Sequence, residues 1–198
     1  LLCVAARTSS AVGIDINPRA IEIARLNAEI NGVANVTIEQ CDAFAAHERF
    51  ATFDQVVWNA PFVFFPPDQR AVNLDGDGGD LGIELTLRFV ARLRQLLNPG
   101  GQAHIMSAAP VLRDGSNLLE ERLRVSAAEH ALDVELFVVQ DFWDFALREF
   151  HAAYGIARFE SVILRVRPGA GRFRRREAPA LRRGSDAVRG LYYGRVRR

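Results

Sequence analysis

Lysine is missing altogether: every one of the 25 basic residues among 198 is arginine. So complete a preference points to genome base composition before it points to function. Cysteine is nearly missing too. Cys3 and Cys41 are too few and too far apart for a disulfide framework, and they lack the spacing of a metal site. His47, His104, His130 and His151 share no ligand spacing either, so no metal is expected. Asp75-Gly-Asp77-Gly-Gly-Asp80 invites a calcium reading, but the sixth and twelfth positions of that pattern call for Gly and Glu. They hold Asp80 and Thr86, and the stretch reads instead as a flexible acidic loop running into Leu81-Gly82. No apolar run approaches the roughly 20 residues of a membrane span. Position 1 is Leu and no leader pattern follows it, so the N-terminus is expected to be a cut edge and the setting a reducing cytoplasm.

What is present is a chain with 49% hydrophobic residues, enough for one core. Its charge is unevenly placed. Twelve of the arginines fall between Arg165 and Arg198, where Glu177 and Asp186 are the only acids, while the body is acidic on balance. The expectation is a domain over 1–168 and a flexible Arg-rich tail over 169–198. Such a tail suits an anionic partner such as RNA or DNA, and equally a solvated arm.

Hydrophobic periodicity predicts alternating strands and helices. Ala11 to Ile16 reads as a short buried strand, followed by a helix that Asn17 and Pro18 open and Asn31-Gly32 closes. Val36–Glu39, Phe53–Trp58 and Gln102–Ser107 read as strands, and Ile83–Leu97 and Leu118–His130 as helices. Val134–Val139 and Phe159–Val166 read as a closing pair with one strand antiparallel. Trp143, Phe142, Phe145 and Phe150 between them read as packing residues. The class is α/β, a mostly parallel sheet with helices on both faces.

Open α/β sheets bind ligands where strands end. Asp15, with Ile16 beside it, ends the first strand, where a carboxylate can accept two ribose hydroxyls; it can equally help cap the following helix. Asp42, with Ala43, follows the second strand, placed to accept from an adenine amine or to close a turn. Asn59-Ala60-Pro61-Phe62 follows the third.

Together with Gly13-Ile-Asp-Ile-Asn-Pro18, Ala24-Arg-Leu-Asn-Ala28, Asn31-Gly32 and Asn98-Pro-Gly-Gly101, these residues resemble class I S-adenosylmethionine-dependent methyltransferases. The resemblance is to those with an Asn-Pro-Pro-aromatic motif: small-domain ribosomal RNA, adenine-N6 and release-factor glutamine enzymes. It implies S-adenosylmethionine as cofactor, held by Asp15, Ile16, Asp42, Ala43 and Asn59. It also implies methyl transfer to a planar nitrogen gripped by the Asn59 side chain and the Ala60 carbonyl, with Pro61 shaping the turn and Phe62 stacking on the target. The acceptor would be a protein glutamine, release-factor-like, or an amino group in RNA or DNA, with no membrane and no metal involved.

Two departures qualify the resemblance. Ala60 stands where the family usually has Pro, so restoring proline is expected to preserve or raise activity. No glycine precedes Gly13, whereas the family's first strand ends in a Gly-rich loop. That strand, central between those carrying Asp15 and Asn59, is expected to be missing from a fragment that binds cofactor poorly alone. The glutamine enzymes' Asp-x-x-Gly-x-x-Arg-like stretch is not found between Val139 and Phe159. A non-catalytic methyltransferase-like binding domain and an NAD-dependent oxidoreductase remain as competing readings, the second leaving Asn59-Ala-Pro-Phe unexplained.

Overall fold

A computed structural model describes residues 5–70, 76–142 and 147–177. Residues 1–4, Asp75, Trp143 and Phe145, and the tail beyond Glu177 lie outside the described residues. The chain divides into two compact units, which part between Phe50 and Ala51.

In the first unit, β1 (Ala11–Asp15) pairs in parallel with β2 (Val36–Gln40), from Ala11 opposite Val36 to Asp15 opposite Gln40. Helix α1 (Pro18–Ile30) connects them. Its start is written locally: the Asn17 side chain accepts from the Arg19 amide at 3.0 Å, and Pro18 needs no amide partner. Gly32, at φ +62°, takes the left-handed geometry that lets the chain leave the helix. Ile21, Ala24 and Ala28 bury one face of α1 against Val36 and Ile38. Arg25 adds a clasp, donating from Nε and a terminal nitrogen to the Ile38 carbonyl at 3.1 and 2.8 Å. A short 3-10 turn (Ala43–Ala45) and α2 (Ala46–Arg49) finish the unit.

The second unit holds β3 (Phe53–Asn59), α3 (Pro67–Arg70), α4 (Glu84–Leu96), β4 (Leu97–Leu112), α5 (Leu118–Glu129), β5 (Leu132–Phe142), α6 (Arg148–Ala153), β6 (Ile156–Pro168) and β7 (Phe173–Glu177). The sheet runs β3-β4-β6-β5-β7. β3 is parallel to β4, β7 is parallel to β5, and β6 is antiparallel to both its neighbours. The closing antiparallel strand is as expected; among the described residues, however, β1 and β2 form a sheet separate from this one. Alternate residues Ala103, Ile105, Leu136, Leu164 and Val166 are fully buried, as are Val90 and Leu93 of α4 and Leu119, Leu123 and Ala127 of α5. Trp58 lies against Phe89 with ring centroids 4.3 Å apart, and the buried hydroxyls of Thr86 and Ser107 satisfy each other at 2.8 Å. Among the described residues, no helix is long and apolar enough to cross a membrane.

Within the segment expected to be a flexible tail, Phe173–Glu177 is a strand. Its charge is what holds it. Glu160 is 3% exposed and Glu135 is 7% exposed, and a buried carboxylate without a cation is costly. Arg175 reaches Glu160 at 3.1 Å and Glu120 at 3.2 Å from one side of β7. Arg176 reaches Glu135 at 2.8 Å from the other. Arg158 and Asn117 complete the shell of Glu160, and Arg165 that of Glu135. Phe173 packs under the guanidinium of Arg124 at 4.5 Å. Polarity that argued against folding is used here as counter-charge.

Candidate active site

Strand β3 delivers the motif. Asn59 pairs with Met106 at the end of the β3–β4 ladder, and the Ala60 amide extends that ladder by donating to the Met106 carbonyl at 3.0 Å. Ala60 is 2% exposed, so its side chain has no room for growth. Asn59 is exposed. Its side chain and the Ala60 carbonyl accept no hydrogen bond from the described residues, so two acceptors on successive residues stand unengaged.

Backbone contacts hold the turn on one side. Val63 donates to the Gly76 carbonyl and accepts from the Gly78 amide, each at 2.9 Å. A Cβ on Gly78 would fall 2.7 Å from the Phe62 Cα, and one on Gly82, at φ +72°, would fall 2.5 Å from the Phe62 oxygen. Both positions therefore require glycine. The stretch expected to be a flexible acidic loop is, over 76–82, pinned to the motif, and residues 71–75 lie outside the described residues. Leu81 adopts φ +52° within it.

Aromatic packing holds the turn on the other side. Phe64 is buried with Ala108, Ile156 and Phe159, and the partly buried Phe62 and Phe150 pack against that cluster. The ring of Phe64 lies 4.9 Å from those of Phe150 and Tyr154. Buried His151, on α6, binds the Phe64 carbonyl through Nε2 at 2.9 Å. A carbonyl only accepts, so Nε2 is the donor, and Nδ1 is buried without a hydrogen-bond partner among the described residues. Neither His151 nor the two close-approach glycines carried a legible signal: a lone histidine and a Gly-Asp-rich loop have many duller explanations.

The first unit places Asp15 at the C-terminal end of β1, with exposed Ile16 next to it. Asp15 Oδ1 accepts from the Asn17 amide at 2.8 Å, and its carbonyl accepts from the Cys41 amide at 3.1 Å. Asp42 follows directly and caps the turn that starts at Ala43, accepting from the Phe44 amide at 2.9 Å. Both acids thus serve their local turns with one oxygen, and both side chains stay exposed at the same end of a parallel ladder. An acceptor-only pair fits the hydroxyl and amine donors of an adenosine. Among the described residues, no group of histidine, cysteine or acidic residues could hold a metal.

A model of a methyltransferase domain matches residues 2–144. The chain belongs to the methyltransferase domain family. Among curated relatives, a Methanocaldococcus jannaschii protein named as a candidate protein N5-glutamine methyltransferase (MJ0928) is 30% identical over 112 residues, 55% of each chain. The chain thus spans about half the length of that relative. The solved structures extend the likeness in fold. The arsenic(III) S-adenosylmethionine methyltransferase of Chlamydomonas reinhardtii matches with TM-score 0.54 at 19% identity, over 79% of this methyltransferase domain and 54% of the other chain. Trm5b of Pyrococcus abyssi matches with TM-score 0.51 at 20% identity, over 84% and 39%. The α/β architecture with its inserted antiparallel strand is the class I methyltransferase fold.

Proposed function

We propose that this domain carries out S-adenosylmethionine-dependent N-methylation of a planar nitrogen, and that Asn59 and Ala60 hold the acceptor. The observation that carries this reading is the unengaged acceptor pair at the end of β3, one side-chain amide oxygen and one main-chain carbonyl on adjacent residues. An amide or aromatic amine nitrogen has its lone pair delocalised and is a poor nucleophile. Two acceptors gripping its two N–H groups favour pyramidal geometry and aim the lone pair in one direction. Phe62 offers a flat apolar surface for the planar group. Asp15 and Asp42 supply the oxygens for the ribose hydroxyls and the adenine amine. S-adenosylmethionine supplies a methyl already activated on a sulfonium. Transfer would form an N–C bond in place of the cofactor's S–C bond, and the nitrogen would give up a proton to water, because neither an amide oxygen nor a carbonyl is basic enough to keep it.

The glutamine side chain is the acceptor favoured by sequence, through the Methanocaldococcus jannaschii relative. A nucleobase amino group presents the same planar NH2, and the arginine face of β7 favours that second reading. The test is Asn59→Ala with S-adenosylmethionine and each acceptor class. Methyl transfer should fall by orders of magnitude while affinity for S-adenosylhomocysteine, read by calorimetry, stays within twofold. Full turnover in the variant would remove Asn59 from the chemistry.

A further inference from the structure

Strand pairing gathers five arginines on one side of the sheet edge. Arg165 of β6 stands opposite Glu135 of β5, and Arg167 opposite Asp133. Arg174 of β7 stands opposite Glu135, and Arg176 opposite Phe137. Paired residues share a face, so Arg165, Arg167, Arg174 and Arg176 lie on the side that carries Asp133, Glu135 and Phe137. Arg172 joins them: its carbonyl accepts from the Val134 amide at 2.8 Å, one residue ahead of β7. A cleft of about 310 Å³ opens here, lined by Asp133, Val134, Glu135, Arg167, Arg172 and Arg174.

The two acids do not cancel this charge. Hydrogen bonds from Arg165 hold the Glu135 carboxyl below the ordinary range, and the Arg172 amide does the same for Asp133, so both stay ionised at neutral pH. Five cations against two anions leave an excess of three. The acids instead orient the guanidinium groups: Arg176 uses Nε on Glu135 and keeps its terminal N–H groups for another acceptor. Arg174 has no carboxylate within ion-pair distance among the described residues.

We infer that this edge of the sheet, the row Arg172-Arg174-Arg176 with Arg167 beside it, binds the phosphates of a nucleic-acid strand. Every second residue of a strand repeats at about 6.6 Å. Consecutive phosphates of an extended nucleic-acid strand repeat at a similar interval, so the row can take one phosphate per arginine. Planar guanidinium forks suit phosphate oxygens in pairs. The inference deepens the second acceptor reading above and names its partner, yet it stands on this face alone.

The test is fluorescence anisotropy of the full chain with a labelled 12-nucleotide oligouridylate across a salt series, alongside a peptide of twelve glutamates. Each phosphate neutralised on a single strand contributes roughly −0.7 to the slope of log affinity against log salt. Arg172→Ala/Arg174→Ala, which spares the cations on buried Glu135 and Glu160, should make the slope shallower by about 1.4. Arg174→Lys should keep most of it, and the melting curve of the double variant should match the parent. An unchanged slope in the double variant would overturn the inference. So would equal, equally salt-sensitive binding of the glutamate peptide, which would mark a face for acidic proteins. If the oligonucleotide binds as expected while Asn59→Ala leaves turnover intact, the face stands and the acceptor grip falls.

Discussion

His151 Nε2 lies 2.9 Å from the carbonyl oxygen of Phe64, a bond that joins α6 to the turn directly after the motif. The histidine is 2% exposed and stands among Phe64, Phe150 and Phe159, so the bond forms in an apolar surround. His151→Leu preserves bulk but leaves the Phe64 carbonyl without a donor. A loss of about 1–3 kcal/mol is expected. Thermal melts should show it, and hydrogen exchange at Val63 and Phe64 should quicken more than in the β4–β6 ladder. Unchanged exchange at those amides would mean that the aromatic packing alone holds the turn.

Ala60→Pro is the substitution that resemblance to the family recommends and the geometry discourages. Proline removes the amide that donates to Met106 and puts a ring at a buried position. The expectation of preserved or raised activity is replaced by one of reduced stability, by about 1 kcal/mol for the lost bond and more for the crowding. Urea titration of the variant against the parent reads this directly. A gain in stability would show that the turn can take another path.

In a chain that also carries the family's first strand and Gly-rich loop, Asp15→Ala should weaken S-adenosylhomocysteine binding more than tenfold, since a hydrogen bond to a charged group is worth about 1.5–3 kcal/mol. Asp15 also holds the Asn17 amide. Asp15→Asn, which keeps an acceptor for that amide, separates the two roles. Calorimetry showing tight NAD binding and none of S-adenosylhomocysteine would point to the oxidoreductase reading.

The charge lock on β7 makes stability depend on acid. Glu135 and Asp133 titrate lower in the folded protein than in the unfolded chain, so the unfolded chain takes up protons first as pH falls. Their stabilisation is complete above the ordinary carboxylate pKa and is lost as pH falls through the depressed folded-state values. Melting temperatures from pH 7 to pH 3 should fall, and less steeply for Glu135→Gln than for the parent. Cutting the chain after Ala170, which would be harmless if an unfolded tail began there, should instead lower the melting temperature even at pH 7. It strips Glu135 and Glu160 of Arg176 and Arg175.

The succession of strands and helices along the chain and the helix limits were legible because they rest on local chemistry. Asn17-Pro18 and Asn31-Gly32 bound α1 within a residue of where their capping chemistry put them, and β3 runs one residue past the expected Trp58, to Asn59. Asp15 and Asp42 proved to do the turn work that was their plainer reading, with exposed carboxylates besides. What escaped was long-range pairing. Nothing near Arg175 in the chain announces Glu160 or Glu120, and nothing near Gly82 announces the backbone of Phe62. A buried acid and an arginine-rich strand each look unfavourable until the fold brings them together.

The slip in the β3–β4 ladder has its own consequence. Phe53 pairs with Leu97 but Gln55 with Gln102, so Asn98–Gly101 bulge out of register. Asn98 ties the bulge down, binding Thr52 and donating to Asp54 at 2.9 Å. A Cβ on Gly101 would sit 2.8 Å from the Phe53 oxygen, so glycine is required at its exit. The bulge lies within β4, just after its first residue, and acts as slack between the end of α4 and Gln102. A residue inserted between Asn98 and Gly101 should enlarge the bulge and leave Asn59 opposite Met106.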